Sequence, residues 1–251
     1  MRNISAVFKK QLLSYFRNAG MLGTPIAFLL IPFAFFLLLG QAAQDDRGFI
    51  LSQFVTLFVG ISMIGTSAGL IAEDRETMNL RFMGMAGVRP YQYLIATCAA
   101  LLIISFVTLI VFALMGGYRG QLLTNFFIVS MLGAACSMLL GITLSLTRFA
   151  ALTPVIGIIL GVGPIFSNAN EALANVFQFT FTQQITDALR GEMIIDVVTE
   201  RTSWPPNGNL DGDLTFAIQV LLINLAVILV AFLLLNIRVG LDGERLVKKA
   251  A

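Results

Sequence analysis

Long apolar runs broken by short polar clusters dominate the chain. Six of these runs approach the roughly 20 residues a helix needs to cross a bilayer, at 22–40, 49–72, 91–115, 122–146, 150–166 and 214–236. The pattern predicts an all-α polytopic membrane protein, with 21–251 forming one six-span domain. The first twenty residues read differently. Ile4, Val7, Phe8, Leu12, Tyr15 and Phe16 recur at helical spacing, with Lys9, Lys10 and Arg17 elsewhere on the wheel. This predicts an amphipathic helix over 1–20 lying in the membrane interface. A cleaved signal peptide ending near Gly40-Gln41-Ala42 is the rival reading, but the basic region is too long and the apolar stretch rather long for one.

Composition agrees with the spans. The chain is 57% hydrophobic and 12% charged, with a mean hydropathy of +0.87, against roughly a quarter charged in a soluble domain. The net charge of +2 says less than its distribution. With both termini inside, only Arg47, Arg119, Arg190 and Arg201 of the sixteen basic residues fall outside. That bias predicts N-in, C-in topology.

Several chemistries are absent. The chain has no histidine, and its two cysteines, Cys98 and Cys136, sit inside apolar runs without metal spacing. No Gly-Lys pair occurs, so there is no P-loop. No Asp, Glu, Lys or Arg sits at the centre of a span, which argues against a proton-coupled carrier and an intramembrane enzyme. Nothing in the pattern points to nucleic acid. A self-contained channel or carrier, or a non-transporting sensor or scaffold subunit, stays open.

Small residues recur at four-residue spacing, as Gly65/Gly69, Gly133/Ser137/Gly141 and Gly157/Gly161, which lets helices approach closely. Pro154 and Pro164 bracket the fifth span and predict that it is short, bent or broken. On the second span Ser52, Thr56, Gly60 and Ser67 fall on one stripe that would line an aqueous path. Thr153, Pro154, Gly157 and Gly161 are the candidate path residues of the fifth. The segment 167–213 is mixed. Its first half is apolar enough to dip back into the membrane or pack on the spans, and its second half, around Trp204, is turn chemistry.

The segment 73–90 is the most charged stretch between spans. Glu73, Asp74, Arg75, Glu76 and Arg81 stand beside Met78, Leu80 and Phe82, and Gly84 and Gly87 follow as helix stops. A loop that only sets topology needs bases and no acids. Mixed charge with an apolar ridge suits a docking element, because charge sets register and apolar groups supply energy.

In this order of features the chain resembles the ABC type-2 export permeases, over almost its whole length. The charge cluster leading into "LRFMGMAGVRPYQYL" (80–94) is similar to the family's charged short helix followed by a Pro and an aromatic. "FTQQITDALRG" (181–191) is similar to its outer segment ending in Asp-Ala-Leu-Arg. Thr77-Met78 departs from the Gly-Thr that many members carry after the acidic cluster. The resemblance implies a permease without its own motor, paired with a second permease copy or a homologous one. Two cytoplasmic ABC ATPase subunits would bind the ATP and Mg. Glu73, Asp74, Arg75, Glu76, Met78, Leu80 and Arg81 would form the helix that couples to the ATPase. The path would run between two permeases, with an outer gate at Phe177, Phe181, Asp187 and Arg190. The location implied is the cell membrane of a bacterium, as a multi-pass protein.

Overall fold

The computed structural model describes residues 2–39, 47–147, 150–167, 171–195 and 214–239. Every regular element among them is helical. The amphipathic start forms α1 (Arg2–Arg17) and the first apolar run α2 (Ala19–Leu39). The second run is one continuous rod of α3 (Arg47–Leu57), a π-helical segment (Phe58–Met63) and α4 (Ile64–Glu76). A short α5 (Asn79–Met85) precedes the long α6 (Pro90–Gly116) and α7 (Gly120–Leu146). A 3-10 turn (Ala150–Leu152) leads into α8 (Thr153–Ser167). Then come α9 (Glu171–Phe177), α10 (Phe181–Ile195) and α11 (Leu214–Val239).

Six of these are long and apolar enough to cross a membrane: α2, the α3–α4 rod, α6, α7, α8 with its 3-10 turn, and α11. They coincide with the six apolar runs, so the chain is a multi-pass membrane protein. The rod is the most enclosed of the six, with two thirds of its apolar window inside the protein. Leu51, Val55, Phe58, Val59 and Ile64 are each fully buried along it.

Local chemistry sets the ends of the rods. Pro90 stands in the first turn of α6, and the backbone N–H of Arg89 is capped by the Gln92 side chain at 3.0 Å, where a missing N–H costs nothing. Gly117, at φ +69°, ends α6 in the left-handed conformation that glycine adopts freely. Only Gly117 to Arg119 separate α6 from α7, so the two are antiparallel neighbours. The fifth span is short but unbroken. Pro154 falls in the first turn of α8, where its missing N–H has no intrahelical acceptor, and Pro164 lies inside the helix near its end, where it removes one bond to Leu160 without ending the helix. The irregular span is instead the second, at its π segment.

The bundle has two unlike ends. One carries α1, α5, the close of α4 and α7, and the start of α6. The other carries the α6–α7 turn, α9, α10 and the start of α11. Residues 40–42, where the rival reading put a cleavage site, and 204–208, where a turn was expected, lie outside the described residues.

Candidate functional site

At the α1 end the acidic cluster is turned inward. Glu73, Asp74 and Arg75 belong to the last turn of α4, not to the short helix that follows. The Asp74 carboxylate is nearly sealed and meets four donors from three elements. It accepts from Gln11 Nε2 at 2.7 Å and Lys10 Nζ on α1, Tyr93 Oη at 2.8 Å on α6, and Asn79 Nδ2 at 3.2 Å on α5. A carboxylate has room for about four such bonds, so the site is full. Glu73 extends it by accepting from Ser14 at 3.3 Å and Asn18 at 3.2 Å. Arg75 donates to the Ser145 carbonyl at 2.7 Å, tying α4 to the end of α7.

Because these acids are used internally, the expected charged helix is corrected in two respects. It starts at Asn79, after Met78 turns the chain in the left-handed region at φ 57°, a conformation uncommon for a bulky residue. Of the seven residues expected to dock, Glu73 is half-buried and hydrogen-bonded to α1, Asp74 is buried, and Leu80 packs on the core. Arg75 is exposed but anchored to Ser145. Glu76, Met78 and Arg81 face outward, joined by Phe82 and Met85, which are 61% and 67% exposed. Gly87, at φ +76°, closes the segment.

The expected path stripe on the second span is closed in this conformation. Ser52, Thr56, Gly60 and Ser67 are all buried. Thr56 donates to the Ser52 carbonyl at 2.8 Å, and Ser67 to that of Ile64 at 3.0 Å. Gly60 lies against the fifth span so tightly that a Cβ there would be 2.5 Å from the Gly161 Cα. Gly157 and Gly161 are buried at the same seam, Thr153 is buried with its hydroxyl unpartnered, and Pro154 is exposed. The seam crosses the π segment, an irregularity that recurs at functional positions in other helices.

At the far end, α9 and α10 fold back into the bundle as a plug. Phe177 packs on Gly163, where a Cβ would collide with its ring. Asn224 of α11 donates to the Phe179 carbonyl at 2.9 Å. Phe181 is buried, and Ile185 and Val59 both lie against Gly133. Thr186 and Thr56 share a 2.7 Å hydroxyl bond. Ser167 donates to Gln183 at 2.6 Å, and Gln183 donates to Asp187 at 2.8 Å. Thr56 is roughly 14 Å along its helix from Arg47, and Gly133 roughly 20 Å from Gly120, so the plug reaches between a third and half of the depth of the rods. Of the two expectations for the first half of 167–213, dipping into the membrane or packing on the spans, packing is seen for 181–189, whereas Leu173, Val176 and Phe179 are exposed.

The plug also alters the inventory of buried charge. No acid lies at the centre of a span, yet Asp187 enters half-buried on α10. Arg190 follows on the same helix, its side chain outside the described residues. Gln53, one turn from Thr56, is 7% exposed with neither amide atom partnered, and Ser62, Ser130 and Ser137 are buried with unpartnered hydroxyls. Sequence reasoning passed over Gln53 as an ordinary polar residue. Among the described residues no three of His, Cys, Asp and Glu cluster as metal ligands would.

No family model matches the chain, and no curated protein or solved structure matches it.

Proposed function

We propose that this chain is the permease subunit of an ATP-driven exporter, which couples through α5 to a separate cytoplasmic ABC ATPase. The observation that carries this reading is the outward face of α5. Arg81, Phe82 and Met85 are exposed on a seven-residue helix, with Met78 exposed just before it, and its base is fixed by the Asp74 junction. A flexible loop would absorb a push. This helix would pass it to α1, α4 and α6 together, through Lys10, Gln11 and Tyr93.

In this reading α1 lies in the inner interface, both termini are inside, and the α10 plug closes the outer end. ATP and Mg bind the partner, and ATP shifts an equilibrium between plugged and open states by binding one of them better. The glycine seam at Gly60 and Gly161 lets the second and fifth spans slide as the plug releases. A second permease copy, or a homologous chain, supplies the other wall of the path.

Asp187 inside the plug favours one second reading, a self-contained ion-coupled carrier. ATP hydrolysis separates the two. The purified chain alone should hydrolyse no ATP, and a co-purifying subunit should supply the activity. Exchanging the charges by Glu76→Arg with Arg81→Glu should uncouple that activity while the chain stays in the membrane. Flux driven by an ion gradient without ATPase would overturn the exporter reading.

A further inference from the structure

We propose that the hollow between α6 and α7 at the far end of the bundle binds one anionic phospholipid. Its phosphate would rest on Arg119 and an acyl chain would lie in the groove. The hollow measures about 370 Å³, within the roughly 300–1,000 Å³ of small-molecule sites. It exists because α6 presents Ala113 and then Gly117 one turn later, leaving space between larger neighbours. Phe106, Ile110 and Leu114 of α6, Tyr118 beside Arg119 in the turn, and Leu123 and Phe127 of α7 line the rest. The Phe106 and Phe127 rings stand 5.2 Å apart across the two helices.

The groove opens sideways. Phe106 is 45% and Leu114 76% exposed, on two rods long enough to cross a bilayer. On rods that cross a bilayer, such an exposed apolar face is open to lipid.

Polarity is confined to one end of the groove. Arg119 lines it there, on extended backbone in the turn between the rods. Its side chain is exposed and has no hydrogen-bond or ion-pair partner among the described residues. It is also one of only four basic residues on the side where bases work against the expected topology. A free guanidinium above a hydrocarbon slot matches an amphiphile with an anionic head, and guanidinium pairs with phosphate through two parallel hydrogen bonds. Zwitterionic lipid would fill the slot equally well but leave Arg119 less completely neutralised.

The proposal rests on the membrane-spanning reading and is independent of the ATPase. The test is native mass spectrometry of the chain taken from vesicles holding equal parts phosphatidylglycerol and phosphatidylcholine. The wild-type chain should retain one phosphatidylglycerol in preference to phosphatidylcholine by about tenfold. Arg119→Gln should abolish the preference and Arg119→Lys should keep most of it. Ile110→Trp, which fills the groove and leaves the charge, should displace the lipid. Arg119 is exposed, so its variants should melt as the wild type does. Equal retention of both lipids by the wild type, or unchanged phosphatidylglycerol retention in Arg119→Gln, would overturn the proposal.

Discussion

Lys10 is ion-paired with Asp74, 64 residues further along the chain, where the Asp74 side chain is 2% exposed and that of Lys10 34%. The pair joins the amphipathic α1 to the end of the second span. Its partners are unequal. Asp74 keeps three neutral donors if Lys10 is lost, whereas Lys10, Tyr93 and Asn79 lose their acceptor if Asp74 is lost and Gln11 is left with the Thr97 hydroxyl at 3.3 Å.

The inequality sets the first prediction. Asp74→Ala should destabilise the folded chain by about 3–5 kcal/mol, because it removes the acceptor of several donors at once, the buried Tyr93 hydroxyl among them, at about 1–3 kcal/mol each. Lys10→Met should cost less, about 1–3 kcal/mol, because the buried carboxylate loses its counter-charge but keeps three neutral donors. Thermal unfolding of both variants in detergent gives the comparison. Equal losses would mean that the hydrogen bonds from Gln11 and Tyr93 carry little.

A second prediction separates two glycines on one rod. Gly60→Ala would place a Cβ 2.5 Å from the Gly161 Cα and 2.7 Å from its backbone nitrogen, atoms that cannot rotate aside. It should destabilise by about 1–3 kcal/mol or more. Gly65→Ala meets nothing within 4 Å and should be neutral or gain up to about 1 kcal/mol of helix propensity. The folded fraction by fluorescence-detected size exclusion measures both.

The plug supplies a third. Thr56 and Thr186 approach to 2.7 Å between hydroxyls. Cysteines at both positions should cross-link under mild oxidation, fixing α10 to α3. Transport by the assembled system should stop and return on reduction. Continued transport with the bridge fully formed would show that the plug does not move.

The fourth concerns pH. Burial pushes the Tyr15 phenol on α1 up from 10.0 to about 12. A phenol whose folded pKa is raised stabilises the fold fully below pH 10 and loses that contribution as pH rises through about 12. Docking of α1 should therefore weaken over that interval, and Tyr15→Phe should remove this part of the transition. Tyrosine absorbance followed against pH reads the ionisation directly.

The six spans were legible because length and hydropathy decide them locally. The fourth, expected over 122–146, is the helix Gly120–Leu146. The direction faced by the acids was not legible. A carboxylate beside arginines looks like a solvated face, and the donors that capture Asp74 sit on α1 and α6. One signal was present in Gln11, which stands between Val7 and Tyr15 on the buried side of α1, where a lone amide requires a partner. Phe16, counted on that apolar face, turns out to be 61% exposed. The π segment left no mark in Phe58 to Met63, since its extra residue is accommodated by packing against Gly157 and Gly161. The apolar residues of 167–213 signalled that its first half dips back or packs on the spans, but nothing local showed that Asp187 enters half-buried with it.

The central claim is that α5 is the dock of a separate motor. The most direct measurement is affinity purification of the tagged chain from its native membranes in gentle detergent at low salt, with mass spectrometry of what accompanies it. A stoichiometric soluble ATPase is the expected companion, lost from the variant Arg81→Glu with Phe82→Ala and retained by Gly65→Ala. Recovery of the chain without an ATPase, or an ATPase held equally by the α5 variant, would contradict the claim.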